Sequence, residues 1–312
     1  MMNKDITIVT GFFKINRESW KGFELTDEKY FEFFKLWAKL QNKLIVYVES
    51  EELKRKVIEF RANLGLGSQT IVNVVPDCVT LAPDLYSSIK TANESPIQQK
   101  FHLLLNHPEV WNPTYNYIML LKAWCVCDAI DRGQADGMVA WVDFGYNHGG
   151  SPIDKNSDFN FVWKYDFPEK INLFTIQDLD NRPMFEIILS MDTYTMGGFL
   201  VGPANLWHEF WNLLQSSMMS LNDCGLADDD QNIILMAYRK KPEIFHLNKS
   251  YWSVQLKQFG GEHLQWAPGF LEYQESLKKK NFKNWARGVK HKINCLKYAW
   301  RIYKHMSKVK IH

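Results

Sequence analysis

Residues 138–147 read MVAWVDFGYN: five apolar residues run into an aspartate, and the chain then turns through Phe144, Gly145, Tyr146 and Asn147. The carboxyl ends of strands in open α/β sheets are where ligands are received, so Asp143 stands at a chemically useful place. Glu49 and Asp77 end two other apolar runs, which gathers carboxylates at one edge of the sheet these runs would form. Further on, Asp228, Asp229 and Asp230, followed by Gln231, open a helical stretch, and His246 ends a short apolar run. Hard cations such as Mn2+ or Mg2+ take carboxylates, water and phosphate oxygens, and Mn2+ also accepts imidazole. One or two carboxylates completed by a substrate diphosphate would hold such an ion, which suits a nucleotide-diphosphate donor. The plain structural alternative is a strand-end aspartate that bonds its own turn.

Other site chemistries find little footing. There is no Walker A motif, no GxGxxG after the first strand, no HExxH and no GxSxG. The five cysteines, Cys78, Cys125, Cys127, Cys224 and Cys295, are odd in number and scattered, which argues against a disulfide framework and for a reducing compartment. No window approaches the length and apolarity of a membrane span, and the first residues lack a secretory apolar region.

The elements that must position these residues follow from periodicity. Ile6–Phe13, Leu44–Val48, Thr70–Val75 and Met138–Val142 are short, β-rich apolar runs that predict strands. Helical spacing over Glu28–Gln41, Glu51–Ala62 and Tyr115–Arg132 alternates with them. Continuous apolar strands alternating with helices indicate a parallel sheet covered on both faces, an α/β fold. The second half is less regular: Phe185–Leu189 and Gly197–Gly202 read as strands, Leu206–Leu221 and Asp228–Tyr238 as helices, and Ile244–His246 as a further apolar run. A 46% hydrophobic composition is enough for a large core.

Three segments carry a resemblance: TIVTGFFKINRESW (7–20), YNYIMLLKAWCVCDAI (115–130) and WVDFGYNHGG (141–150). They resemble the bacterial HtrL/YibB (WlaTC-like) family, associated with surface-polysaccharide loci and regarded as GT-A type glycosyltransferases. The resemblance spans most of residues 5–265 and implies a Rossmann-like GT-A domain with a mostly parallel central sheet flanked by helices. It implies a UDP-sugar donor and Mn2+ (or Mg2+) held at Asp143. The family pattern Asp-x-Asp is matched only at its first position, since Gly145 occupies the second. Asn147, His148 or a distant residue would complete the set. By the same analogy, Thr10, Gly11 and Phe12 receive the nucleoside and Arg17 pairs with phosphate. Glu49, Lys122, Gly198 and Gln231 contact the nucleotide sugar, Asp229 or Asp230 serves as catalytic base, and His246 is a second metal ligand.

The net charge of +2 hides an asymmetry. Residues 277–312 hold twelve Lys or Arg and no acid, leaving 25 of the 37 basic side chains against all 35 acidic ones in residues 1–276. Trp285, Val289, Ile293, Leu296, Trp300 and Tyr303 recur every three or four residues among the basic ones, which predicts a basic amphipathic C-terminal helix. Such a tail suits an anionic membrane surface rather than nucleic acid. The domain expectation is therefore a transferase domain over 1–276 and a helical tail over 277–312. The functional expectation is a cytoplasmic enzyme peripheral to the inner membrane. It would move a hexose, such as galactose, from a UDP-sugar to a glycan or lipid-linked glycan acceptor of lipopolysaccharide, O-antigen or capsule, with inversion. The rivals are a metal-dependent nucleotide-diphosphate hydrolase and a non-catalytic nucleotide-sugar-binding subunit of a glycan assembly complex.

Overall fold

A computed structural model of the chain describes residues 5–279 and, beyond them, five single positions from Ile293 to Lys304. The tail expected over 277–312 otherwise lies outside the described residues. In chain order the elements are β1 (Thr7–Phe12), α1 (Asp27–Trp37), β2 (Leu44–Val48), α2 (Glu51–Asn63), β3 (Thr70–Val74), α3 (Pro83–Asn93), α4 (Gln98–Phe101), α5 (Pro108–Trp111) and α6 (Pro113–Asp131). There follow β4 (Met138–Val142), β5 (Ile171–Thr175), α7 (Met184–Ser190), β6 (Thr195–Pro203), α8 (Ala204–Asn222), α9 (Asp230–Lys240), β7 (Phe245–Lys249), α10 (Gln255–Gln258) and α11 (Phe270–Lys279).

The strands form one sheet in the order β3-β2-β1-β4-β6-β5-β7. β1 pairs in parallel with β2 and β4, and β2 with β3. β6 runs antiparallel to both β4 and β5, while β5 and β7 are parallel. The first four strands thus have the order 3-2-1-4, and the sheet changes its direction of growth between β1 and β4, which is the switch point where doubly wound sheets bind ligands.

Side chains of period two feed two cores. Val9, Ile45, Tyr47, Val139, Trp141 and Leu200 face one way and pack under α3, α6, α8 and α9. Ile8, Val46, Val48, Ala140, Val142 and Phe199 face the other way, under α1, α2 and the 153–167 segment. This two-sided burial is why the strands read as continuous apolar runs.

Local signals set the helix starts that matter for the site. Ser50, directly after Glu49, caps α2 by accepting from Leu53 N at 3.2 Å. Asn112 caps α6 through Tyr115 N at 3.0 Å, with Pro113 in the first turn, where its missing N–H costs nothing. Two expectations need correction. Phe185–Leu189 is not a strand but the body of α7: a five-residue apolar run fits either period, and packing against α9 selects the helix. The strand at Ile171–Thr175 was not foreseen.

Candidate functional site

At the carboxyl ends of β1 and β4 the sheet opens into a cavity of about 570 Å3. Its walls come from β1 (Gly11, Phe12), the following loop (Arg17), α1 (Tyr30), α6 (Tyr115, Lys122), the β4 end (Trp141, Asp143) and the segment after β7 (Trp252, Ser253). This size and mixture of aromatic walls with a few fixed polar groups is typical of small-molecule sites.

Asp143 is placed by backbone and side chain alike. Its N–H donates to Gly198 O at 2.9 Å, continuing the β4–β6 ladder. Its Oδ1 accepts from Trp141 Nε1 at 2.7 Å. The Trp141 indole reaches there because residue 11 is glycine: a Cβ on Gly11 would stand 3.2 Å from the indole. From α6, Lys122 Nζ approaches to 3.2 Å from Asp143 Oδ1 and 2.7 Å from Asp230 Oδ2. Lys122 and Asp230 are 7% and 6% exposed, Asp143 39%. The Gly197-Gly198 dipeptide of β6 makes room for both carboxylates. A Cβ at Gly197 would lie 1.8 Å from Asp230 Oδ2, and one at Gly198 would lie 2.9 Å from Asp143 Oδ2.

Burial alone would lower the pKa of Lys122, but the charges of Asp143 and Asp230 more than reverse this and hold the ammonium above its ordinary value. Burial raises the Asp230 carboxyl, and Lys122 partly offsets that rise. Its neighbours lie deeper in an acidic pocket. Asp228 is pushed up to about 7 by burial and by Glu109. Asp229 is raised by burial and by repulsion from Asp228 and Asp230. Asp229 caps α9, accepting from Gln231 N at 3.0 Å, and Asp228 accepts from Asn232 Nδ2 at 2.9 Å.

Arg17 is the second cation of the wall. Its Nε donates to Phe23 O at 2.9 Å and its Nη1 to Tyr30 Oη at 2.5 Å, while the guanidinium sits 5.8 Å from the Trp20 ring centroid. These contacts hold the guanidinium in one orientation at the cavity wall. The loop after β4 is folded just as firmly. Phe144 stacks on Phe34 at 4.3 Å, and Asn147, in left-handed conformation at φ 65°, clasps the Ile153 backbone through both its amide atoms. Asn147 is therefore a structural residue and does not complete a ligand set.

Of the residues singled out in the sequence, Gly11, Phe12, Arg17, Lys122, Asp143, Gly198 and Gln231 line the cavity together. Five others do not. Thr10 points to the opposite face of the strand from Gly11 and is fully buried. Glu49 lies beside Lys14, Asp27 and Asp77, its carboxyl raised chiefly by burial. Asp229 and Asp230 are buried behind the wall, one as a cap and the other as the partner of Lys122, so neither is placed to meet an acceptor as base. His246 is exposed on β7, in register with Asn172 of β5 and so three strands from β4, about 14 Å at the usual spacing. It cannot share an ion with Asp143. The aromatic walls Tyr30, Tyr115 and Trp252 were not read from the sequence; each sits in an ordinary helical or loop pattern with no spacing signal.

The donor set is thinner than the one implied for Mn2+ or Mg2+: of the residues named for it, Asp143 lines the cavity with His148, and His246 does not. Gly145 lies against Tyr30, whose ring a Cβ would meet at 3.0 Å, so a side chain at the second position of Asp-x-Asp would require that ring to shift. Among the described residues no three His, Cys, Asp or Glu side chains converge as a metal site. The position between the two carboxylates is taken by Lys122.

Comparison with known proteins covers most of the chain. Residues 4–260 match a family described as "Bacterial protein of unknown function (HtrL_YibB)". The Protein HtrL of Escherichia coli K12 is 33% identical over 263 residues, covering 79% of this chain and 88% of that protein.

Proposed function

The chain belongs to the HtrL/YibB family, and we propose that it is a GT-A type glycosyltransferase that moves a hexose from a UDP-sugar to a bacterial surface glycan. The observation that carries this reading is the cavity at the β1/β4 switch point, walled by aromatic rings and by the two ordered cations Arg17 and Lys122. Aromatic walls suit a uracil and a sugar, and clustered cations suit the diphosphate between them. In the transfer, the acceptor oxygen bonds to C1 as the bond from C1 to the phosphate oxygen breaks. UDP leaves with that electron pair, and the acceptor proton passes to a cavity carboxylate. Asp143 suits that role better than Asp229 or Asp230, being half-exposed in the wall and held by Trp141.

Among the described residues no helix is long and apolar enough to cross a membrane. The acid-free basic run after residue 276 supports an acceptor presented at an anionic membrane surface, on the cytoplasmic side.

Titration of UDP and UDP-hexoses into the full chain, with transfer followed by UDP release, tests the proposal. Asp143→Asn is expected to keep nucleotide binding and lose transfer. Absence of binding by any UDP-sugar would overturn the proposal. Release of free hexose at full rate without an acceptor would favour the hydrolase instead.

A further inference from the structure

We infer that this site holds its diphosphate through hydrogen bonds donated by Lys122 and Arg17, and that nucleotide binding does not require a divalent cation. The inference rests on the nucleotide-sugar reading of the cavity and deepens it.

The argument starts from what occupies the ion's place. Two carboxylates facing each other across a small gap ordinarily invite a divalent ion, and here Asp143 and Asp230 are so arranged. The gap is filled by an ammonium covalently fixed to α6, 2.7 Å from one and 3.2 Å from the other. A metal bonded to Asp143 at about 2.1 Å would have this buried like charge for a neighbour. Lys122 lies 3.2 Å from Asp143 Oδ1 and 3.4 Å from Oδ2, and Trp141 also holds Oδ1. Among the described residues, second ligands beside Asp143 are few: residue 145 carries no side chain, Asn147 is spent on Ile153, and only the His148 imidazole, packed on Phe33, shares the cavity.

What remains fits a phosphate directly. Lys122 has three N–H groups, of which the two carboxylates take two, and it lines the cavity. Its bond to Asp143 is the longer one, so that is the one a phosphate oxygen displaces. Asp230 stays behind as the buried counter-charge that keeps the amine protonated. Arg17 has Nε and Nη1 fixed by Phe23 and Tyr30, and its Nη2 makes neither of these bonds.

The test is calorimetric titration of UDP into the unaltered full chain, in excess EDTA and then in millimolar Mn2+. The expected result is a Kd within about twofold in the two buffers. Lys122→Gln and Arg17→Ala are each expected to weaken UDP by about tenfold or more, the loss of a charge-assisted bond, while leaving uridine binding nearly unchanged. Tight UDP binding in Mn2+ with none in EDTA would overturn the inference and leave the nucleotide-sugar reading standing. No UDP binding in either buffer would overturn both. Should Lys122→Gln fail to fold, the EDTA comparison and Arg17→Ala still decide.

Discussion

Replacing Lys122 by methionine isolates the energetics of the site. The side chain keeps its length and loses its charge, leaving Asp230 6% exposed with no cationic partner. Breaking a buried ion pair in this way costs about 3–5 kcal/mol. The lost contact to Asp143 adds little, because that carboxylate is 39% exposed and water can replace the amine. The cost depends on pH with a definite sign. Burial already holds the Asp230 carboxyl above its ordinary value, and Lys122 opposes that. Without Lys122 the folded carboxyl rises further, so the folded state keeps a proton that the unfolded chain gives up near pH 4. The deficit is therefore small near pH 4 and grows with pH until the raised pKa has been passed. Scanning calorimetry at pH 5 and pH 8 should show Lys122→Met melting below the unaltered chain by roughly 5–8 °C at pH 8, with a smaller gap at pH 5. Adding Asp230→Asn should restore most of the loss. A double variant that melts no higher than Lys122→Met, or equal losses at both pH values, would refute the buried-pair account.

Three further perturbations probe neighbouring parts of the same geometry. Gly197→Ala places a methyl 1.8 Å from the present position of Asp230 Oδ2 and must push that carboxylate off Lys122; a loss of about 2–4 kcal/mol in urea unfolding is expected. Gly145→Asp rebuilds Asp-x-Asp in sequence only: its Cβ meets the Tyr30 ring at 3.0 Å, so Mn2+ affinity, read by electron paramagnetic resonance, should not appear. UDP affinity should fall in that variant, since Tyr30 also holds Arg17. Asp228, raised from 3.8 to about 7, makes the fold less stable as pH climbs from about 4 to 7, by up to about 4 kcal/mol. Asp228→Asn should flatten the melting temperature across that window, because the titrating carboxyl is gone; the new amide nitrogen, in place of Oδ2, finds an acceptor when the Asn232 amide turns its Oδ1 towards it.

How much of this was legible differs by element, for physical reasons. Strands β1, β2 and β4 were readable because burial on both faces leaves a nearly unbroken apolar run, half-buried β3 at the sheet edge was readable from its β-branched residues, and Asp143 was readable because a strand must end before a carboxylate can face water. In the second half the same cue failed. Phe185–Leu189 is too short for periodicity to choose helix over strand. β5 carries Asn172, whose amide bonds the Pro168 and Lys170 carbonyls, and its polar side chain breaks the apolar signal.

The site failed differently, because its decisive relations are not local. His246 and Asp143 both belong to the sheet, and only the strand order, with β6 and β5 interposed before β7, keeps them apart. Lys122 lies in the middle of an almost wholly buried stretch of α6, between Leu121 and Ala123, both fully buried. On a solvated helix a lysine needs no explanation. In a buried one it demands a counter-charge, since an unpaired ammonium would give up its proton. That demand was visible from the run IMLLKAWCVC, and what supplied it was not: Asp230 is 108 residues away. The three successive aspartates had read as a helix cap offering a spare base. Only one of them caps α9. Asp230 meets the lysine, across a gap that exists because Gly197 has no side chain. A lysine inside an apolar helix, a glycine pair in a strand and an aspartate too many at a helix start are each unremarkable alone. Taken together, each is the missing partner of another, and that is the form in which a buried charged site leaves its trace in a sequence.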